Sequence, residues 1–214
     1  MNTIKVNINK EEGMISIYNN GKGIPIEIHK EENVWVPELI FGHLLTSSNY
    51  DDSEKKVTGG RNGYGAKLAN IFSTEFIVET TVSSACKKYR QIFKNNMSVT
   101  EKPRLTSYSK KEEYTMITFK PDFEKFNMTQ FDDDIIALLK KRVYDMVACV
   151  KDVKVFLNDE RLKLKNFKEY MQLYLGEQED PPPTIVYENV NDRWEIGALT
   201  SPEFQFQQVS IFIL

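Results

Sequence analysis

The run Gly59-Gly60-Arg61-Asn62-Gly63-Tyr64-Gly65-Ala66-Lys67 constrains this chain more than any other segment. Glycine fills four of its first seven positions, so the backbone can take conformations that a side chain forbids and turn its amides toward an anion. From Ala66 to Phe72 the apolar residues follow helical spacing, which predicts a helix beginning where the loop ends. The free amides and partial positive charge of a helix start suit a phosphate.

A second loop, Asn19-Asn20-Gly21-Lys22-Gly23-Ile24-Pro25, closes a predicted strand. An Asn offers a donor and an acceptor together, as an adenine edge requires, and Gly21 and Gly23 would let a base approach the backbone. Taken alone, these residues also read as a plain Asn-Gly turn. The glycine run taken alone resembles a dinucleotide fingerprint, but residues 46–58 are hydrophilic where that fold needs a strand, and no acidic ribose partner follows. Nor is it the Gly-Lys-Ser/Thr phosphate loop, because Leu68 follows Lys67. Together the two loops point to a nucleotide.

The rest of the chain supplies a scaffold. Alternation in Thr3–Ile8 and Met14–Tyr18, around Glu11-Glu12-Gly13, predicts a β-hairpin. Val36 to Leu45 reads as a short helix with Pro37 in its first turn, and 46–62 as a long loop of the kind compact domains keep for function. Strands are predicted at Phe76–Thr80, Lys88–Phe93 and Tyr114–Phe119, with 97–113 a polar connection. Asp132 to Val150 is the strongest helix: acidic residues open it, and Ile135, Leu138, Leu139, Val143, Met146, Val147 and Val150 share a face. A strand at Val153–Leu157 ends in the turn Asn158-Asp159, and Asn166 caps a helix reaching Leu175. Residues 177–183, ending in three prolines, read as a linker, and Ile185–Glu188, Arg193–Ile196 and Gln207–Ile213 as further strands. The expected fold is α+β: a two-layer sandwich with a mixed, largely antiparallel sheet, followed by the start of a β-rich piece.

Charge and composition narrow the function classes. A net charge of −3 argues against a strongly basic nucleic-acid surface, and no apolar run approaches the length of a membrane span. Cys86 and Cys149 lack metal-ligand spacing, which fits a reduced intracellular protein. His29 and His43 have no nucleophile arrangement around them, and Asp132-Asp133-Asp134 reads as a helix start rather than a metal cluster. Lys87, Lys88 and Arg90 alternate with Tyr89 on a strand, an exposed face more than a DNA-binding edge. Trp35 and Trp194 read as packing residues.

Asn19-x-Gly21-x-Gly23, Leu45-Thr46-Ser47-Ser48-Asn49-Tyr50 and the octet Gly60–Lys67 resemble the ATP-binding motifs of the eukaryotic type II DNA topoisomerases. These are members of the GHKL (Bergerat-fold) ATPases, a superfamily that also holds gyrase and a heat-shock chaperone. The resemblance continues through Lys151–Asn158 to about Gln208. It implies that Asn19 reads adenine, that Ser47, Ser48 and Asn49 contact ribose and phosphate, and that Gly60, Arg61, Asn62, Gly63, Tyr64, Gly65, Ala66 and Lys67 wrap the triphosphate. It implies ATP and Mg2+ as cofactors, and for the full-length enzyme double-stranded DNA and a homodimeric partner, in the nucleus and with no membrane.

The same resemblance implies what this chain lacks. The hydrolytic Glu and an Asn that holds magnesium belong to a helix before the first hairpin. The phosphate-sensing Lys belongs to a transducer domain, and the DNA-cleaving Tyr to the breakage core. The expectation is therefore a piece of the enzyme truncated at both ends, with no catalytic residue or metal ligand of its own. Residues 1–176 would form the partial ATP-binding domain, 177–183 the linker and 184–214 the start of the transducer. Such a chain binds ATP and hydrolyses little or none. The alternative is a non-catalytic module of the same fold.

Overall fold

A computed structural model of the chain describes residues 1–44, 63–150, 152–174, 185–191 and 194–198. The predicted linker at 177–183 and the strand at 207–213 lie outside these residues. The chain opens with the expected hairpin, β1 (Thr3–Asn9) and β2 (Met14–Asn19), paired antiparallel with Val6 opposite Ile17. Gly13 takes φ +60° in the turn between them. Helix α1 (Val36–Gly42) carries Pro37 in its first turn, and α2 (Gly65–Ile71) follows the glycine loop as predicted. Then come β3 (Ser73–Val82), β4 (Lys87–Lys94), the short β5 (Val99–Thr100) and β6 (Arg104–Ser107), and β7 (Thr115–Pro121). The polar connection at 97–113 thus contributes two strands that alternation could not reveal, since all their residues are exposed.

Helix α3 (Asp133–Cys149) starts at Asp132, whose carboxylate accepts the Ile135 N–H at 2.7 Å. It leads into β8 (Lys154–Leu157) and β9 (Glu160–Arg161). Helix α4 (Phe167–Gln172) is capped by Asn166, which accepts from Glu169 N–H at 2.9 Å. A separate hairpin, β10 (Val186–Asn191) with β11 (Trp194–Ala198), closes the described chain.

The main sheet runs β5-β4-β3-β7-β2-β1-β8-β9, with β6 also on β4. Every pairing is antiparallel except β1 with β8. Asn158 extends that parallel pair beyond the end of β8. Its main-chain N–H donates to Val6 O, while its side chain accepts from Ile8 N–H at 2.7 Å.

The helices lie on one face, with α1, α2 and α3 against the sheet and α4 packed on α3. Phe41 from α1 meets Phe76, Val78 and Phe93 beneath α1 and α2, and Val143 and Val147 of α3 meet Val155. Burying each of these side chains is worth about 1.5–3 kcal/mol. A third cluster joins Ala148 to Phe167, Tyr170 and Met171 of α4, and Ile185 and Tyr187 of the last hairpin pack on it. Only part of the predicted stripe on α3 is covered. Val143 and Val147 are buried, but Leu138 is 48% exposed, because the packing partners of α3 lie along its C-terminal half. Trp35 packs on Tyr89 as expected, whereas Trp194 is half-exposed on the hairpin.

Phe76 is buried at the centre of the ring cluster, with Phe41, Phe93 and Phe119 around it. Phe76→Ala should cost about 3–5 kcal/mol, read as a lower urea midpoint at an unchanged slope.

Candidate functional site

Three neighbouring strands bring Thr80, Thr115 and Asn19 into register: Thr80 faces Thr115 across β3 and β7, and Asn19 faces Thr115 across β2 and β7. The chain leaving Asn19 turns back over this row. Ile24 N–H donates to the Thr80 hydroxyl at 2.9 Å, and that hydroxyl also bonds Thr115 Oγ1 at 3.0 Å. Gly23 lies so close to β3 that a Cβ there would sit 1.8 Å from the Thr81 carbonyl oxygen. Only glycine fits, and the reason is contact rather than a left-handed backbone.

Glu113 closes the turn. One of its oxygens accepts from Gly23 N–H at 3.0 Å, and the other accepts the Ser83 N–H and hydroxyl, each at 2.8 Å. These bonds, the Gly23 N–H foremost, hold the Glu113 carboxyl below its ordinary range. Glu113, Thr80, Thr81 and Ser83 escape a sequence reading: the first lies in a polar stretch, and the others look like ordinary strand and turn residues.

Asn19 is half-buried, and its Oδ1 accepts from Gly21 N–H at 3.1 Å. The plain Asx turn is therefore real. It leaves the side-chain NH2 and the second lone pair of Oδ1 for a ligand. Asn19 stands at the rim of a cavity of about 660 Å3 under the helix-covered face. Ile4, Val6, Ile15, Ile17 and Phe119 make its floor, and α3 contributes Val143 and Met146. An apolar hollow with one amide at its edge suits a flat heteroaromatic ring.

The glycine loop is described from Gly63 onward; Ser47, Ser48, Asn49, Gly60, Arg61 and Asn62 lie outside the described residues. Gly63 takes φ +66°, a conformation that favours glycine. Tyr64 and Ala66 are exposed, Gly65 begins α2, and the helix start has no side-chain cap. Lys67, in the first turn of α2, is not a solvated helix-start lysine. Its ammonium is buried and donates to Gly63 O at 2.7 Å, and loss of water pushes its pKa down. Deeper in α2, Asn70 donates to Phe41 O at 3.0 Å and ties the helix to α1, while its Oδ1 is buried without a donor. Asn19 and α2 thus lie on the same side of the sheet. His29 and His43 occupy a turn and the C-terminal end of α1.

No protein-family model matches the chain. The chain is 55% identical over 210 residues to a probable DNA topoisomerase 2 of Dictyostelium discoideum, and 52% identical over 224 residues to DNA topoisomerase 2 of Saccharomyces cerevisiae. Each alignment takes in 98% of this chain but only 14% and 16% of the relative's length. Among solved structures, the ATPase region of Saccharomyces cerevisiae topoisomerase II superposes with a TM-score of 0.87 at 57% identity, over 92% of this chain and 51% of that one. The ATPase and transducer domains of DNA topoisomerase II from Balamuthia mandrillaris give 0.88 at 47% identity, over 96% and 52%. The 43K ATPase domain of Thermus thermophilus gyrase B, at 0.63 and 21% identity over 92% and 50%, shares the fold.

Two outcomes follow from the geometry. Glu113→Ala should expose the Gly23 and Ser83 amides to faster hydrogen exchange while leaving those of β1 and β8 protected. For Lys67 the unfolded chain keeps the ammonium proton up to the ordinary value of 10.5, and the folded chain gives it up at lower pH. Stability from this group therefore rises with pH across that interval. In urea midpoints measured across the alkaline range, the parent chain should gain on Lys67→Met as pH climbs.

Proposed function

Because this chain belongs to the eukaryotic type II DNA topoisomerases, within their GHKL-type ATPase region, we propose that it forms the ATP-binding part of an enzyme that changes DNA topology by ATP-driven double-strand passage. The observation that carries this reading is the Asn19 amide at the rim of an apolar cavity, on the same side of the sheet as the glycine-led start of α2. Adenine would place its edge on Asn19. The polyphosphate would run to the backbone amides and ammonium of Gly63, Tyr64, Gly65, Ala66 and Lys67, and Ser47, Ser48, Asn49, Gly60, Arg61 and Asn62 would complete the contacts. The residues suit such a ligand, since a desolvated lysine with a lowered pKa regains its proton affinity beside phosphate.

Bound ATP supplies the phosphoryl group whose transfer to water would drive the enzyme's cycle; this chain's share is to bind and orient it. Among the described residues no group of three or more His, Cys, Asp and Glu gathers to hold a metal. Mg2+ would therefore arrive on the nucleotide's phosphates, which is how this ion is commonly held. For the whole protein the reading extends to double-stranded DNA, a homodimer and the nucleus. Among the described residues no helix is long and apolar enough to cross a membrane. The proposed boundaries are an ATP-binding domain at 1–176, a linker at 177–183 and the start of a transducer domain at 184–214. Identity across nearly the whole chain to DNA topoisomerases favours this reading over a non-catalytic module.

Isothermal titration with a non-hydrolysable ATP analogue, with and without Mg2+, tests it. The chain should bind, and Asn19→Ala should weaken binding by about 10-fold or more, the scale of a hydrogen bond lost in a desolvated pocket. Absence of binding, or an Asn19→Ala variant that binds as tightly as the parent, would sink the adenine assignment.

A further inference from the structure

Three consecutive residues other than glycine, Asn95, Asn96 and Met97, take left-handed backbone, at φ +50°, +57° and +65°. They join β4 to β5 just beyond the facing pair Lys94 and Val99. A hairpin loop of this length is commonly built on a type I turn, whose central residues are right-handed. Asn tolerates the left-handed region, but Met is seldom found there. Met97 packs on the cluster of Phe41, Phe76, Val78 and Phe93, which accounts for one of the three. Backbone strain of this kind persists only where the surroundings enforce it, and it gathers at functional sites.

What the turn holds is the far end of α2. Asn95 N–H donates to Thr74 O at 2.9 Å and Asn96 N–H to Ser73 O at 3.0 Å, which lays the turn against the start of β3. From there the Asn96 amide uses both its hydrogens, one on Ile71 O at 3.0 Å and one on Asp122 Oδ2 at 2.9 Å. Asp122 N–H donates in turn to Phe72 O at 2.8 Å, and the Ser73 hydroxyl to Ala69 O at 2.5 Å. The carbonyls that close α2 are therefore met from three separate segments: the start of β3, the β4–β5 turn and the residue after β7. The other end is built differently. It has no side-chain cap and joins Gly63 and Gly65, residues that resist rotation least. The direction of α2 is thus decided at its C-terminal end. Ile71 follows Lys67 by one helical turn, about 6 Å along the axis, so a shift at the anchor passes straight to the Lys67 ammonium.

We propose that Asn96 is a positioning residue for the nucleotide's polyphosphate: by fixing the end of α2 it sets the Lys67 ammonium without touching the ligand. The inference rests on the ATP reading above and adds a residue that lies outside every motif of that reading. Holding the cation in place before the ligand arrives removes an ordering step from binding. Asn suits the position on two counts, since it accepts left-handed backbone and its amide supplies two donors at once.

The test is isothermal titration of the 214-residue chain with a non-hydrolysable ATP analogue, beside thermal midpoints and hydrogen exchange. Asn96→Gly keeps the left-handed turn and removes only the side chain's bonds. Its thermal midpoint should stay close to the parent's, because glycine relieves the backbone while two hydrogen bonds are lost. In the ligand-free variant the Leu68 and Phe72 amides should exchange faster, with those of β1 and β8 unchanged. Affinity for the analogue should fall about 3- to 10-fold, the scale of one or two hydrogen bonds. The same factor, within about 2-fold, should appear in an Asn19→Ala background, since the base end is independent of α2. In a Lys67→Met background it should largely vanish, because Asn96 acts through Lys67. Asp122→Asn, which keeps an acceptor for Asn96, should bind like the parent. The proposal is overturned if Asn96→Gly binds as tightly as the parent, or if its factor is as large without Lys67 as with it. A merely structural role predicts that equal factor, with affinity following the thermal midpoint. A parent chain that binds no analogue removes the ATP reading itself, and this inference with it. Should Asn96→Gly melt early, Asp122→Ala, which keeps the main-chain bond to Phe72, carries the same comparison.

Discussion

The close approach of Gly23 to the Thr81 carbonyl fixes the geometry on which the rest of the candidate site depends. With no Cβ in the way, the segment after β2 lies flat on β3, and hydrogen bonds from Ile24 to Thr80 and from Gly23 to Glu113 hold it there. Asn19, the last residue of β2, is set by its pairing opposite Thr115 and by the Gly21 N–H that its side chain accepts. Its carbonyl oxygen is fixed on Gly21, so the amide is already oriented before any ligand arrives. Removing that ordering step from binding is the physical meaning of preorganisation.

The scaffold was legible wherever one physical rule acted alone. Alternation revealed β1, β2, β3, β4 and β7, and the acidic start of α3 and the Asn166 cap marked two helix beginnings within a residue. Legibility failed where long-range partners decide. Glu113 sits in a hydrophilic stretch, and nothing local says that its carboxylate will be met by amides 30 and 90 positions earlier in the chain. β5 and β6 are fully exposed strands whose only reason to exist is the free edge of β4. The stripe on α3 announces an amphipathic helix but not that its deepest burial falls on Val143, Val147 and Ala148 while Leu138 stays exposed. Lys67 shows the limit most plainly: the octet around it marks a phosphate-binding residue, but only the folding of α2 against α1 and the sheet reveals that it is buried.

The two faces of the sheet separate two kinds of electrostatics. On the helix-covered side, the buried or partly buried charges Lys67 and Asp145 are tied down, Lys67 by the Gly63 carbonyl and Asp145 by Tyr170, Lys141 and Arg142. There an uncompensated charge would be costly. On the open side water screens each charge, and cations can stand together at small cost. The pairing of Lys88 and Arg90 with Glu79 shows that this face can neutralise itself where a carboxylate is supplied.

The parallel joint between β1 and β8 makes these two surfaces one mechanical object. It carries α3 on one side and the alternating cations and rings of Arg161, Phe156, Lys5 and Tyr18 on the other, because Val6 and Val155 point into the α3 core while Lys5 and Phe156 point away. Alternation along the strands enforces this division, since a slip of one residue would exchange the faces. Asn158 guards against that slip by bonding both the N–H and the carbonyl of Ile8. The register that keeps the apolar floor of the cavity beneath α3 is therefore the same register that aligns Arg161, Phe156, Lys5 and Tyr18. Neither surface can be rearranged without the other, so they stand or fall with one set of backbone hydrogen bonds.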